Sequence, residues 1–226
     1  MVTNEELLAE MEKRHSVRSY KDMPLEEDVI KELNFEIKEI NKESGLHIQL
    51  IVNEPKAFSG FLGKIGSFSN AVNYLALIGR DDDELDEKCG FYGEKLVLIA
   101  QKLGLNTCWV AGTYKNIHEA YMLNEGEKLL LVISLGYGVN AGVPHKNKPI
   151  EEISDVNETS PLWYKNGISA VVLAPSAMNR QNFTFKLVGD EVLAKEIPSK
   201  WGKVDLGIAK FHFVIGSNKD SNIFIK

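Results

Sequence analysis

Apolar residues recur at helical spacing near the start of the chain, and this pattern predicts two amphipathic helices. The first follows a capping box, Thr3–Glu6, in which each side chain can bond the other's backbone N–H, and it ends near Arg14. In the second helix the apolar residues are three and four positions apart: Ile30, Leu33, Ile37 and Ile40. We expect Pro24 in its first turn and Gly45 at its end.

Short runs rich in β-branched, aromatic and other apolar residues follow, and they predict strands. The strand candidates are residues 47–52, 72–78, 107–111, 129–135, 182–188 and 211–216. Helical spacing predicts helices at 92–103, 117–123 and 160–172, whereas the Gly-rich stretch 60–69 is expected to be a loop. The alternation of helices with short strands predicts an α/β or α+β fold with one central sheet.

Two distant segments share a weak sequence echo. NYLALIGRDD (73–82) and FHFVIGSNKD (211–220) each contain an aromatic residue, an apolar run, Ile-Gly and then Asp. Ten-residue similarities also arise by chance, so the echo leaves an internal duplication and a coincidence both open.

Composition and charge exclude several classes of protein. With 226 residues, of which 44% are hydrophobic, the chain can bury a substantial core. Its net charge of −6 argues against nucleic acid as a partner, and its two cysteines exclude a disulfide scaffold and lack metal-ligand spacing. No apolar run reaches the roughly 18 residues of a membrane helix, and no secretory signal follows Met1. We therefore expect a soluble, cytoplasmic protein that binds neither membranes nor metals.

Three polar clusters could carry chemistry. The segment 14–19, RHSVRS, places two guanidinium groups and hydroxyls where they could clamp a phosphate, although a solvated helix end would have the same composition. The segment 174–181, APSAMNRQ, could present polar side chains to a flat ligand or form an ordinary turn. His145, Lys146 and Lys148 form a third cluster, for which a solvated loop is the alternative.

Several familiar catalytic patterns are missing. The chain has no GxGxxG, Walker, HExxH or GxSxG motif. Cys108 stands in an apolar strand and is expected to be a buried core thiol. His47, His118 and His212 have no partners at ligand spacing and are expected to be structural.

Taken together, the clusters resemble the nitroreductase family of FMN-dependent oxidoreductases. RHSVRSY (14–20) is similar to the family's phosphate-binding signature, and APSAMNRQNF (174–183) is similar to its A-P-S-x-x-N-x-Q-P-W element, with Asn-Phe in place of Pro-Trp. GLNTCWVAG (104–112) resembles the helix–strand segment beside the flavin, and LGYGVNAGVPHKNKPIEEI (135–153) resembles the family's late strand and basic loop.

The order of the motifs resembles one branch of the family. In ordinary members the A-P-S element follows the first signature by a few dozen residues and reaches the flavin of a partner subunit; here it begins at residue 174. This order is similar to the pseudo-dimeric "putative TM nitroreductase" branch. The resemblance implies a nitroreductase-like α+β (mixed α/β) fold, with a central mixed sheet flanked by helices. Residues 1–155 would form a full copy, and residues 156–226 a reduced copy that completes one FMN site. The chain would be a monomer or a weak homodimer.

The resemblance also assigns FMN-binding residues. Arg14, His15, Ser16 and Arg18 would hold the phosphate and ribityl chain, and Lys146 and Lys148 would add a second phosphate clamp, for which His145 and Asn147 are the alternative register. Lys64 and Ser67 would reach the pyrimidine edge. Ala111 and Gly112 would lie beside N5 and O4. The ring would be covered by Pro175, Ser176, Ala177, Asn179 and Gln181.

The implied activity is FMN-dependent oxidation of NAD(P)H. A hydride would pass through flavin N5 to a nitroaromatic, a quinone or a similar small-molecule acceptor in ping-pong turnover, and no catalytic side chain is expected because the flavin carries the chemistry. The alternatives are a non-catalytic FMN-binding, storage or sensor protein, and a related flavin reaction such as dehalogenation, ene reduction or dimethylbenzimidazole synthesis.

Overall fold

The computed structural model of the protein describes residues 3–225. Its helices are α1 (Asn4–Lys13), α2 (Glu27–Ser44), α3 (Gly60–Ile65), α4 (Leu85–Lys102), α5 (Ile150–Ile153), α6 (Leu162–Val171) and α7 (Gly202–Ser217). Its strands are β1 (Gln49–Ile51), β2 (Asn73–Arg80), β3 (Asn106–Val110), β4 (Glu127–Gly136), β5 (Phe183–Val188) and β6 (Glu191–Glu196). Short 3₁₀ turns lie at His118–Ala120, Ala177–Asn179 and Ser221–Ile223. The predicted α+β class is confirmed.

The chain divides into two compact units. We call residues 13–85 and 96–144 the sheet unit, and the described residues 3–12, 86–95 and 145–225 the helical unit. These units do not coincide with the predicted sequence copies, because α1 and the first half of α4 belong to the helical unit. The predicted division of the chain into copies 1–155 and 156–226 stays a prediction.

The sheet unit is built on a four-stranded sheet in the order β1-β2-β4-β3, in which neighbouring strands are antiparallel. Strand β2 is buried on both faces from Asn73 to Gly79. A strand covered on both sides needs apolar residues at every position, which explains why residues 72–78 read as a continuous apolar run. Isolated parallel bridges such as Ser16–Thr107 add the mixed character to this sheet.

The first two helices confirm the predicted end signals, with one correction. The Thr3 N–H donates to Glu6 Oε2 at 2.9 Å, and the Glu6 N–H donates to Thr3 Oγ1 at 3.3 Å. Gly45 ends α2 in the left-handed conformation at φ 73°. The expectation for Pro24 was wrong, because Glu26 is still extended and the helix begins only at Glu27.

The stretch 60–69, which was expected to be a loop, begins with the helix α3. A Cβ at Gly63 would lie 1.6 Å from the carbonyl oxygen of Phe58, so this helix packs its backbone directly against the preceding chain. Only glycine permits so close an approach. The Gly-rich composition that favoured a loop is therefore the condition for the helix.

The helical unit contains a β-hairpin and the helix α7, which packs against α6 and α4. Strand β6 was not predicted; it pairs with β5 across a tight turn at Gly189, which has a φ of 63°. Helix α7 replaces the predicted strand at 211–216, which was wrong. This helix is buried on nearly all sides, so it lacks the broad polar stripe from which a helical period is usually recognised.

The sequence echo has no structural counterpart. Residues 73–80 form strand β2, whereas residues 211–217 lie in helix α7. A shared run of apolar residues was thus compatible with two different periodicities, and the echo does not mark a repeated element.

Within the helical unit, α4 and α7 cross at a pair of glycines. A Cβ at Gly90 would lie 2.1 Å from the Val204 carbonyl oxygen, and a Cβ at Gly207 would lie 2.1 Å from the Glu87 carbonyl oxygen. Lys210 Nζ bonds Glu87 Oε1 at 2.5 Å beside this crossing. The two helix backbones therefore touch directly.

We predict that Gly207→Ala destabilises the protein by about 1–3 kcal/mol, because its methyl group would meet backbone that cannot move aside without separating the helices. The usual effect of this change inside a helix is a gain of about 1 kcal/mol, so the sign itself is diagnostic. Urea unfolding measures the free energy of unfolding of Gly207→Ala and of a comparison variant, Lys203→Ala, at an exposed position on the same helix. An unchanged or higher stability of Gly207→Ala would contradict the close crossing.

Candidate functional site

The segment 14–20 lies against the edge of the sheet at β3. Ser16 bridges Thr107 in parallel, and the Val17 N–H donates to the Thr107 carbonyl at 2.9 Å. Val17 and Tyr20 are buried, whereas Ser16 and Arg18 are exposed. The segment thus runs beside β3 with Val17 and Tyr20 inward and Ser16 and Arg18 outward, while Arg14 at its start is buried.

Tyr20 anchors this segment in the core of the sheet unit. Its hydroxyl donates to the Val17 carbonyl at 2.7 Å and lies 2.8 Å from Ser134 Oγ on β4. Burial raises the pKa of Tyr20 far above its ordinary value, which keeps the hydroxyl protonated. Since the bond to Val17 crosses only three residues, it also closes the segment into a fixed turn.

The electrostatics around the segment favour an anion. The pKa of His15 is lowered, first by burial and then by the neighbouring cation of Arg14. Burial raises the pKa of the Cys108 thiol, while Arg18, a hydrogen bond from Ser16 and Arg14 act in the opposite direction. Burial is the main cause of both shifts, and the smaller contributions of Arg14 and Arg18 place positive charge near β3, where an anionic ligand would be stabilised. The prediction that Cys108 is a buried thiol is confirmed, since it is 2% exposed.

Lys64 lies on α3 and Ser67 on the loop that follows it, and this loop adjoins the 14–20 segment. The Ser69 N–H donates to the Arg18 carbonyl and the Tyr20 N–H donates to the Ser69 carbonyl, both at 3.0 Å, so the loop that follows α3 is joined to the 14–20 segment. Lys64 is exposed on α3, and Ser67 is exposed just after it with a left-handed φ of 58°.

Ala111 and Gly112 follow the last residue of β3 directly. Gly112 is exposed, and a Cβ added there would meet no described atom within 4 Å. A flat ligand could therefore approach the backbone at this position without a side chain in the way.

An aromatic cluster of Phe58, Phe68 and Tyr74 packs beneath the loop that follows α3, in the core of the sheet unit. The ring of Phe58 lies 4.8 Å from that of Phe68 and 5.8 Å from that of Tyr74, measured between centroids. Phe58 is buried, so its role is to pack the core rather than to meet a ligand.

In the helical unit, the second and third polar clusters are brought together. Asn179 Nδ2 donates to the Lys146 carbonyl at 2.7 Å. The side chain of Gln181 is 0% exposed; its Oε1 accepts the Lys148 N–H at 2.6 Å, and its Nε2 donates to the Val172 carbonyl at 3.2 Å. Lys148 Nζ donates to the Gln181 carbonyl at 3.2 Å. Gln181 and Lys148 thus hold the basic loop to the 174–181 segment.

The segment 176–181 carries unusual backbone conformations. Met178, Asn179 and Gln181 have φ values of 53°, 54° and 44°, in the left-handed region that non-glycine residues rarely adopt. Ser176 Oγ accepts the Gln181 N–H at 2.8 Å and so closes the turn. Met178 is 84% exposed at its tip.

Sequence reasoning missed one residue of this segment's surroundings. Asp205, in the first turn of α7, accepts the Ala177 N–H at 2.9 Å on Oδ1 and is 3% exposed. Burial raises its pKa to about 6. The available signal was a lone acidic residue inside the apolar run of α7.

Two further findings bear on the other predicted classes of site. None of the described helices is long and apolar enough to cross a membrane. Within residues 3–225, no group of three or more His, Cys, Asp and Glu side chains is arranged to hold a metal ion.

Comparison with known proteins gives a consistent assignment. The sequence model of the family described as "Putative TM nitroreductase" matches residues 6–217. A "putative nitroreductase" from Thermotoga maritima is similar in structure, with a TM-score of 0.70, 24% sequence identity, and coverage of 93% of this chain and 82% of that chain. No curated protein sequence matches the chain.

Two shorter solved structures share the fold. One, described as a "putative nitroreductase in complex with FMN" from Exiguobacterium sibiricum, has a TM-score of 0.52 and 18% identity, and covers 70% of this chain and 98% of its own. The other, an "FMN-dependent nitroreductase" from Clostridium difficile, has a TM-score of 0.50 and 19% identity, and covers 67% of this chain and 98% of its own. With the family match across residues 6–217, these findings show that the chain belongs to the nitroreductase family, in the branch described as "Putative TM nitroreductase".

Proposed function

We propose that the protein is an FMN-dependent NAD(P)H oxidoreductase. The observation that carries this proposal is the 14–18 segment, which is fixed on the edge of β3 with Ser16 and Arg18 exposed and with the Arg14 side chain buried at its start. FMN is named for two structures of the same fold, which supports the choice of ligand.

The residues of the segment fit the phosphate of FMN. A guanidinium donates paired N–H groups to phosphate oxygens, and a serine hydroxyl adds a further donor. Arg18 and Ser16 are exposed beside each other along the segment, while Arg14 supplies positive charge from a buried position. Tyr20 fixes the backbone between these donors, so little freedom is lost when an anion binds.

Neighbouring loops would hold the remainder of the cofactor. We assign the ring to the open backbone at Ala111 and Gly112, and its pyrimidine edge to Lys64 and Ser67. Bound FMN would supply reversible hydride acceptance, which couples oxidation of NAD(P)H to reduction of a nitroaromatic, a quinone or a similar acceptor. The chain's own contribution is to orient the ring and to leave one face open, and no catalytic side chain is proposed.

Further contacts to FMN are proposed for the 175–179 segment, from Pro175, Ser176, Ala177 and Asn179. Lys146 stands beside this segment through its carbonyl bond to Asn179 and is retained as a candidate for the phosphate. Gln181 and Lys148 have a different role in the proposal, because their polar atoms already join the loop 145–148 to the segment. They would hold the ligand-binding segment in place without touching FMN themselves.

The coverage of the shorter nitroreductases supports the pseudo-dimer hypothesis. They are matched over 98% of their own length by 67% and 70% of this chain, which leaves room for one full copy of the fold and a reduced second copy. We accordingly propose that the chain works as a monomer or a weak homodimer, and that it is cytoplasmic.

The decisive experiment is a spectrum of the purified protein, followed by stopped-flow mixing of the FMN-loaded protein with NADH and NADPH. Bound FMN that is bleached by NAD(P)H and recovers its colour with a quinone or nitroaromatic supports the oxidoreductase. Tight FMN binding without bleaching would support the storage or sensor alternative. A protein that binds no FMN would overturn the proposal.

We expect Arg18→Ala to weaken FMN binding by about 1.5–3 kcal/mol, because a charge-assisted bond to the phosphate is removed. Quenching of flavin fluorescence on titration gives the dissociation constant. Arg80→Ala, which removes an exposed cation at the end of β2, is the matched control and should bind FMN as the unmodified protein does. Equal affinities of the two variants would place the phosphate elsewhere.

We expect FMN to raise the pKa of His15. In the free protein burial and Arg14 lower it, so His15 is neutral at pH 7. A phosphate dianion beside the His15 imidazole favours the protonated imidazolium, so FMN binding takes up a proton. FMN affinity therefore rises as the pH falls from the pKa of His15 in the bound protein to its pKa in the free protein. NMR titration of the His15 imidazole with and without FMN measures the change in its pKa. His15→Asn separates it from protonation of the phosphate itself, and an unshifted His15 would remove it from the phosphate site.

A further inference from the structure

The turn at 176–179 is held in a conformation that it would not adopt alone. Its residues Met178 and Asn179 are both left-handed, and a non-glycine residue in this region costs of order 1 kcal/mol or more. Such a turn persists only when its surroundings over-determine it. The contacts that hold the first half of the turn therefore decide the position of the side chains that it presents.

Asp205 supplies a charged contact to that half. Its Oδ1 accepts the N–H of Ala177 at 2.9 Å, and its carboxylate is almost wholly buried. The second oxygen, Oδ2, is also buried and accepts no hydrogen bond from any described residue. A carboxylate with one oxygen unused is a costly choice, since an asparagine would offer the same acceptor without a buried charge.

An ionised acceptor makes a shorter and stronger hydrogen bond to a backbone N–H than a neutral acceptor does. The charge on Asp205 therefore strengthens the one bond that ties the turn to α7. Fixing Ala177 also fixes Ser176, whose hydroxyl closes the turn by accepting the Gln181 N–H.

We propose that Asp205 is a positioning residue, whose ionised carboxylate holds the Ala177 N–H and thereby fixes the 176–179 turn for ligand binding. The consequence for FMN rests on the proposed function; the effect on the turn does not. Asp205 itself touches no ligand in this proposal, because both of its oxygens are buried.

The proposal has a pH-dependent consequence. Burial raises the pKa of Asp205 to about 6, so the charge is present at neutral pH and is lost below pH 6. The charged groups of the surrounding elements are otherwise engaged or exposed: Glu87 of α4 pairs with Lys210 of α7, His212 of α7 pairs with Glu94 of α4, and Lys203 and Arg180 are exposed. The loop joined to the turn carries His145, Lys146 and Lys148, so the comparison with Asp205→Asn is what isolates the contribution of Asp205.

The test compares Asp205→Ala, Asp205→Asn and a control, Asp155→Ala. Asp155 is a carboxylate of the same unit that accepts the Tyr164 hydroxyl and the Leu187 N–H, so its loss should lower stability without moving the turn. The first readout is the Ala177 amide resonance and its hydrogen exchange in the FMN-free protein. The second is the FMN dissociation constant from fluorescence quenching, at pH 7.5 and at pH 5.

In the unmodified protein the Ala177 amide should titrate with a midpoint near pH 6. The part of FMN affinity that depends on Asp205, measured as the difference between the unmodified protein and Asp205→Asn, should fall together with it. Asp205→Ala should lose exchange protection at Ala177 and bind FMN about 10-fold or more weakly. Asp205→Asn should restore most of that affinity, because it keeps the acceptor, but its Ala177 amide should no longer titrate. Asp155→Ala should change neither readout.

Ala177 protection that is unchanged in Asp205→Ala would overturn the proposal, and so would an Ala177 titration that persists in Asp205→Asn. Should Asp205→Ala not fold, the titration in Asp205→Asn decides alone. A displaced turn with unchanged FMN affinity would overturn the link to binding. Failure of the unmodified protein to bind FMN would overturn the proposed function, while the amide readout would still decide whether Asp205 fixes the turn.

Discussion

The buried hydroxyl of Tyr20 is the constraint on which the arrangement of the sheet unit's candidate residues depends. It lies among apolar residues, and its hydrogen bonds to the Val17 carbonyl and Ser134 Oγ satisfy it there. Because Val17 is itself bonded to Thr107, the hydroxyl fixes the 14–20 segment to two strands at once. With Val17 and Tyr20 held in the core, Ser16 and Arg18 on either side of Val17 are exposed. The exposed polar residues that suggested a phosphate site are thus positioned by the burial of their apolar neighbours Val17 and Tyr20.

Much of this unit could be predicted from the sequence, because local rules and tertiary packing agree there. Strand β2 reads as a strand since it is covered on both faces, and Gly45 ends α2 since its left-handed φ suits glycine. The 14–20 segment could be recognised because its residues resemble a known signature. No such agreement exists at α3, where the glycines that indicate a loop are needed for close backbone packing at Phe58.

The helical unit was harder to predict for two physical reasons. Helix α7 is apolar on almost every face, so its sequence contains no period that separates a buried helix from a strand, and the same ambiguity produced the echo with β2. The residues that hold the 174–181 segment are distant in sequence: Lys148 lies 33 positions before its partner Gln181, and Asp205 lies 28 positions beyond Ala177. The sequence could name the segment, but not the residues that hold its shape.

Asp205 shows a conflict between stability and position in this unit. Its pKa is raised from 3.8 to about 6, so the folded state binds its proton more tightly than the unfolded chain does. The contribution of this group to stability is therefore fully present below about pH 4 and is lost as the pH rises through 6. Yet the ionised form makes the stronger bond to Ala177. At neutral pH the buried charge of Asp205 lowers the stability of the fold, and it accepts a hydrogen bond from a turn that contains two left-handed residues. Both features cost free energy of folding, which is expected where the geometry of a segment serves binding rather than folding.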